Sequence, residues 1–121
     1  MPEKRKFVRI NVICEADIVP LNTPDCQPIK GVISNISAAG IGIITNGAVM
    51  VGSPVYLSFT LPDGPNFSNV EGEVVRADTI AEKHYIFIGI DLGRLSQGQK
   101  NILNRYVMEL RHKHYSMKLG L

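Results

Sequence analysis

Between Pro54 and Pro62 the chain reads VYLSFTL, and Val55, Leu57, Phe59 and Leu61 alternate with Tyr56, Ser58 and Thr60. A period of two sends successive side chains to opposite faces, so this segment is a strand with one buried and one wet face. The same rhythm recurs along most of the chain. Ile10, Val12, Cys14, Ala16 and Ile18 oppose Asn11, Glu15 and Asp17. A second strand covers about Ile29 to Ser34, and a third follows Gly40 with Ile41 and Ile43 on one face. In VEGEVVRAD, Glu71 and Glu73 oppose Val70 and Val74, and Ile86, Ile88, Ile90 and Leu92 close the series. PLNTPDCQP, NGAVMVGSP and PDGPN punctuate these runs with proline and glycine. Six short strands without helical crossovers predict an antiparallel barrel or sandwich.

After Leu92 the period changes. Ser96 and Gln99 form an S-x-x-Q capping box, and Leu103, Tyr106, Val107, Leu110 and His114 recur at helical spacing. A helix over about 97–116 is expected, docking its apolar stripe on the barrel or on a partner. Its basic end, Arg111, Lys113 and Lys118, suits the negative pole of the helix dipole and needs no ligand.

The length of 121 residues suits one domain: a basic arm at 1–9, the strands at 10–93 and the helix at 96–116. The arm is expected to be mobile, since a short charged terminus has little to bury. Net charge is +2, but its distribution is uneven. Lys4, Arg5, Lys6 and Arg9 stand against Glu3 alone in the first nine residues, and the remainder is close to neutral. Such an arm attracts an anion, or is simply solvated. Cys14 and Cys26 lack metal or redox spacing, which suits reduced thiols and a cytoplasmic setting. No apolar run is long enough for a membrane span, and MPEKRKFVRI lacks the apolar core of a secretory leader.

Signatures of catalysis are sparse. His112 and His114 point to different sides of a helix, which is wrong for a shared metal, and His84 stands alone in a strand. Ser37 has no base near it in sequence. The pair Gly40 and Gly42 opens like a dinucleotide fingerprint, but no third glycine or helix follows. Neither an enzyme nor a metal site is expected.

Two motifs remain: R-x-x-x-R at Arg5 and Arg9, and N-x-S-x-x-G at Asn35, Ser37 and Gly40. In this order, 26 residues apart from Arg9 to Asn35, they resemble the signatures of the PilZ domain family. The likeness extends over nearly the whole chain, through GIGI at 40–43, GEVVR at 72–76 and IGIDL at 88–92. It implies a six-stranded antiparallel barrel with a C-terminal helix, and a receptor for cyclic di-GMP, a bacterial second messenger. It also implies Arg5, Arg9, Asn35, Ser37 and Gly40 as ligand-binding residues. Asn35 stands where aspartate is also common, and lysines surround Arg5 where arginines are often seen; both changes bear on affinity and stoichiometry.

The chemistry is consistent. The ligand carries two phosphates and two guanines, and arginine pairs with both through its planar fork. A bidentate guanine contact is worth about 1–3 kcal/mol. Asn35 offers donor and acceptor, Ser37 a hydroxyl, and Gly40 room for close backbone approach. The bland alternative is a turn capped by its own Asn and Ser side chains. Lys4 and Arg76 are secondary candidates: Lys4 for phosphate, or simply solvated, and Arg76 for stacking on guanine if it sits at the barrel rim, whereas a bulge in the strand would put it in solvent. The expected partners are cyclic di-GMP and an effector protein, with the apolar helix also able to support a homodimer. The competing reading is a PilZ-like adaptor that binds proteins and no nucleotide. A nucleic-acid polymer is not expected, because the chain has no Trp and its surplus charge is confined to the arm.

Overall fold

The computed structural model describes residues 9–21, 28–47, 49–80 and 84–118, without the helix side chains beyond Lys113. Lys4 and Arg5, the rest of the 1–8 stretch, Cys26 and the His114 side chain lie outside the described residues.

Six strands form a closed antiparallel barrel: β1 (Ile10–Pro20), β2 (Ile29–Ile36), β3 (Gly40–Thr45), β4 (Pro54–Thr60), β5 (Asn66–Thr79) and β6 (Ile86–Asp91). The order around the barrel is β1-β2-β3-β6-β5-β4, so the sheet has no free edge. The inward set is the alternating apolar set. Ile18, Ile33, Ile43, Val55, Leu57, Val74 and Ile88 have no exposed surface. Each such side chain contributes about 1.5–3 kcal/mol by leaving water. Phe59 and Phe67 stack at 5.1 Å between centroids.

Four register shifts interrupt this regularity, and three of them bear on what the outer face presents. On β1 the shift between Asn11 and Cys14 leaves Ile13 78% exposed. On β2, Ile33 pairs with Ile43 but Asn35 with Gly42, so Ser34 is the extra residue of a bulge. Strict alternation from Gly31 and Ile33 would send Asn35 inward; the bulge turns it outward and buries Ile36 instead. On β5, Val74 pairs with Ile90 and Arg76 with Gly89, making Val75 the extra residue. Arg76 therefore leaves the face of Val70 and Val74 and is exposed.

Helix α1 (Gln97–Lys118) begins where the capping box places it. The Gln99 backbone N–H donates to Ser96 Oγ at 3.1 Å, and the Ser96 N–H donates to Gln99 Oε1 at 3.1 Å. These bonds satisfy two of the donors that a helix start leaves open. Leu103, Tyr106 and Val107 are buried with the barrel core, and the Tyr106 hydroxyl donates to the Pro62 carbonyl at 2.7 Å. The stripe offered as a ground for a homodimer is thus occupied within the chain, with only Ile102 and Met108 as large exposed apolar residues on the described helix. No described helix is long and apolar enough to cross a membrane.

Candidate functional site

The turn between β2 and β3 closes on itself. Ser37 is 2% exposed, and its Oγ accepts hydrogen bonds from the N–H groups of Ala39 and Gly40, each at 3.2 Å. The same hydroxyl donates to the Gly40 carbonyl at 3.4 Å, and the Ser37 N–H reaches that carbonyl at 2.9 Å. One donor and two acceptor positions are all a hydroxyl has, so Ser37 is saturated by its own turn. Gly40 is buried for a long-range reason: a Cβ there would stand 2.7 Å from the Ile90 carbonyl oxygen of β6. Its missing side chain makes room for a neighbouring strand. Beyond it, the Ala39 carbonyl accepts from the Leu92 N–H at 2.9 Å, tying the turn to the segment that leads into α1.

Asn35 faces the other way. Its Oδ1 accepts from Arg9 Nη1 at 3.0 Å, and its Nδ2 donates to Ser34 Oγ at 3.4 Å. Ser34 in turn donates to the Gly42 carbonyl at 3.4 Å. The last arginine of the first motif and the first residue of the second are thus in contact on an open surface. Arg9 is exposed and Asn35 half-buried.

Arg76 lies across the sheet from this clasp, ion-paired through Nε with Asp78 and with its guanidinium carbon 5.6 Å from the centroid of Phe87. Phe87 was not among the sequence-derived candidates. The signal was there: with Ile86, Ile88 and Ile90 inward, Phe87 is an aromatic on the outward face of an alternating strand. Gly42 lies beneath its ring, and a Cβ at Gly42 would be 2.7 Å from Phe87 Cζ and 2.7 Å from Asn35 Nδ2.

Among the described residues, groups suited to catalysis are not gathered at this site. Burial raises the pKa of the Cys14 thiol, which keeps it protonated and a poor nucleophile. Among the described residues no group of three or more His, Cys, Asp or Glu could hold a metal ion.

Fold and site together are a closed six-stranded barrel with an arginine bonded to an Asn-x-Ser-x-x-Gly turn. The model of the PilZ domain matches residues 3–109, and the chain belongs to the PilZ domain family. Solved structures agree on the fold. The inhibitor of motility MotI/DgrA of Bacillus subtilis superposes with a TM-score of 0.76 at 19% identity, over 93% of this chain and 53% of that one. YcgR of Escherichia coli in complex with c-di-GMP gives 0.81 at 11% identity, over 98% of this chain and 50% of that one. The PilZ domain of the same YcgR with c-di-GMP gives 0.74 at 12% identity, over 98% of this chain and all of that one. The chain thus spans about half the length of MotI/DgrA and full YcgR. No curated protein matches it in sequence.

Proposed function

We propose that the chain is a cyclic di-GMP receptor that acts by binding, without catalysis, and passes the signal to an effector protein in the cytoplasm. One observation carries this reading: the 3.0 Å hydrogen bond from Arg9 to Asn35, which joins two motifs 26 residues apart on one accessible surface. Membership of the PilZ family supports it, as do the two YcgR structures that contain c-di-GMP. In this reading Arg9 and Arg5 pair with phosphate or with the O6/N7 edge of guanine, and the Asn35 amide meets a polar base edge. Lys4 adds charge on the phosphate side. Ser37 and Gly40 belong to the site through the turn they build, which fixes where Asn35 and the loop backbone stand.

The consequence for signalling follows from connectivity. A ligand that takes the Arg9 fork competes with Asn35 for it or bridges the two, and reorganises the arm that Arg9 ends. Such reordering of a segment changes the surface offered to a partner. The Ala39–Leu92 bond gives the same turn a second connection, toward α1.

Titration calorimetry with cyclic di-GMP tests the proposal. The full chain should show saturable binding at micromolar ligand, and Arg9→Ala should weaken it at least about 30-fold, the equivalent of roughly 2 kcal/mol for a bidentate contact. A folded chain that gives no saturable heat would instead be a protein-binding adaptor without a nucleotide.

A further inference from the structure

Two bulges aim side chains at one strip of the outer face. Ser34 on β2 turns Asn35 outward, and Val75 on β5 turns Arg76 outward. Between them, register sets Asn35 opposite Gly42, Gly42 opposite Gly89, and Gly89 opposite Arg76. Three strand spacings of about 4.8 Å separate the two ends, roughly 14 Å in all. The two middle positions carry no side chain. Phe87 lies over that gap, close to the Asn35 amide on one side and to the Arg76 guanidinium on the other. The row therefore reads arginine, amide, aromatic ring, arginine, with Asp78 holding the far cation.

Covering a glycine in a sheet is a structural task an aromatic residue can perform. That task explains the ring over Gly42. It does not explain why both flanking strands bulge to bring hydrogen-bonding cations and amides to the ring's two sides. A half-buried aromatic ring on the outer side of the sheet, bordered by such groups, matches a flat heteroaromatic base with polar edges, and arginine at the border can stack on it or bond its edge.

We propose that Phe87 contacts the ligand and seats one guanine of cyclic di-GMP, with Arg76 closing over or beside that base and Asp78 acting as the residue that positions Arg76. Resting on the receptor reading above, this assigns the two ends of one ligand to different elements. The Arg9–Asn35 clasp takes one nucleotide and the Phe87–Arg76 pair takes the other.

The chain has no tryptophan, so Phe87→Trp introduces a single indole at the seat. Cyclic di-GMP should quench the emission of this variant on saturation. In calorimetry Phe87→Ala should lower the affinity about tenfold or more, and Asp78→Asn about threefold, with circular dichroism unchanged. If the wild-type chain binds cyclic di-GMP but Phe87→Ala binds within twofold of it, or the indole's emission does not respond at saturation, the Phe87 assignment is wrong and the receptor reading stands. If the wild-type chain does not bind at all, both fall.

Discussion

Asn35 and Ser37 are two residues apart, both polar, and both in the short turn motif, yet the structure uses them on opposite sides. Asn35 stands on the outer face with its amide bonded to Arg9 and Ser34. Ser37 is buried, and each of its hydrogen bonds stays within residues 37–40. The same division separates two glycines of β3. Gly40 makes room for the β6 backbone, and Gly42 makes room for the Phe87 ring and the Asn35 amide on the surface. A motif that reads as one unit in sequence is therefore two devices, an inner one that shapes the turn and an outer one that presents groups to a ligand. Substitutions inside should lower stability first and binding only through it. Substitutions outside should lower binding and leave stability alone.

The strongest way to break this division is Gly40→Ala. The new Cβ would meet the Ile90 carbonyl at 2.7 Å, and backbone cannot swing aside as a flexible side chain can. Overpacking usually costs about 1–3 kcal/mol, and a clash with backbone belongs at the top of that range. The midpoint of thermal unfolding should drop by roughly 10 °C. A variant that melts within a degree or two of the wild type would show that β3 and β6 separate easily there. The inner device would then be soft.

A matched pair comes next. Ser37→Ala removes the acceptor used by the Ala39 and Gly40 N–H groups, and leaving such groups unsatisfied costs about 1–3 kcal/mol. Its affinity for cyclic di-GMP, measured well below its melting temperature, should stay within about threefold of the wild type. Asn35→Ala should do the reverse: a change in stability within about 0.5 kcal/mol, as for other surface sites, with binding weakened about tenfold. Denaturant titration and calorimetry on both variants give the four numbers needed. Equal losses of binding with no loss of stability in either variant would place Ser37 on the ligand and dissolve the division.

The strands were legible because alternation is a local property, written wherever one face is wet. Val55, Leu57, Phe59 and Leu61 are all buried, as their spacing implied. The capping box was legible for the same reason, since Ser96 and Gln99 need only each other. The bulges at Ser34 and Val75 were not, because a bulge is decided by the pairing of two strands. Within β5 alone, Arg76 falls on the inward face with Val70 and Val74; only its register against Gly89 shows it outside. The reason for Gly40 likewise lies in Ile90, 50 residues on, and no local pattern records it. The apolar stripe of α1 was visible, but whether it covered the barrel or a second copy was not. Tertiary packing chose the barrel. Arg9 and Asn35 were legible as separate motifs, and their contact became visible only once β2 was folded beside the start of β1.

The smallest expected effect calibrates the others. Tyr106 ties α1 to the turn after β4 through its 2.7 Å bond to the Pro62 carbonyl, and neither group belongs to the motif. Tyr106→Phe should cost about 1 kcal/mol, the net worth of an ordinary hydrogen bond, without changing affinity for cyclic di-GMP. Burial raises the pKa of this phenol, with nearby Cys14 and Asp63 adding to the effect. A pKa raised in the folded state means that the associated stability is fully present below the unfolded value near 10 and is lost as pH rises through the folded value. The stability gap between wild type and Tyr106→Phe should therefore narrow from pH 8 to pH 11 in denaturant titrations. A constant gap would mean that the hydroxyl titrates alike in both states. A loss of ligand affinity at neutral pH would mean that helix docking and the outer face are coupled. In that case the losses measured for Gly40→Ala and Ser37→Ala could no longer be divided cleanly between stability and binding.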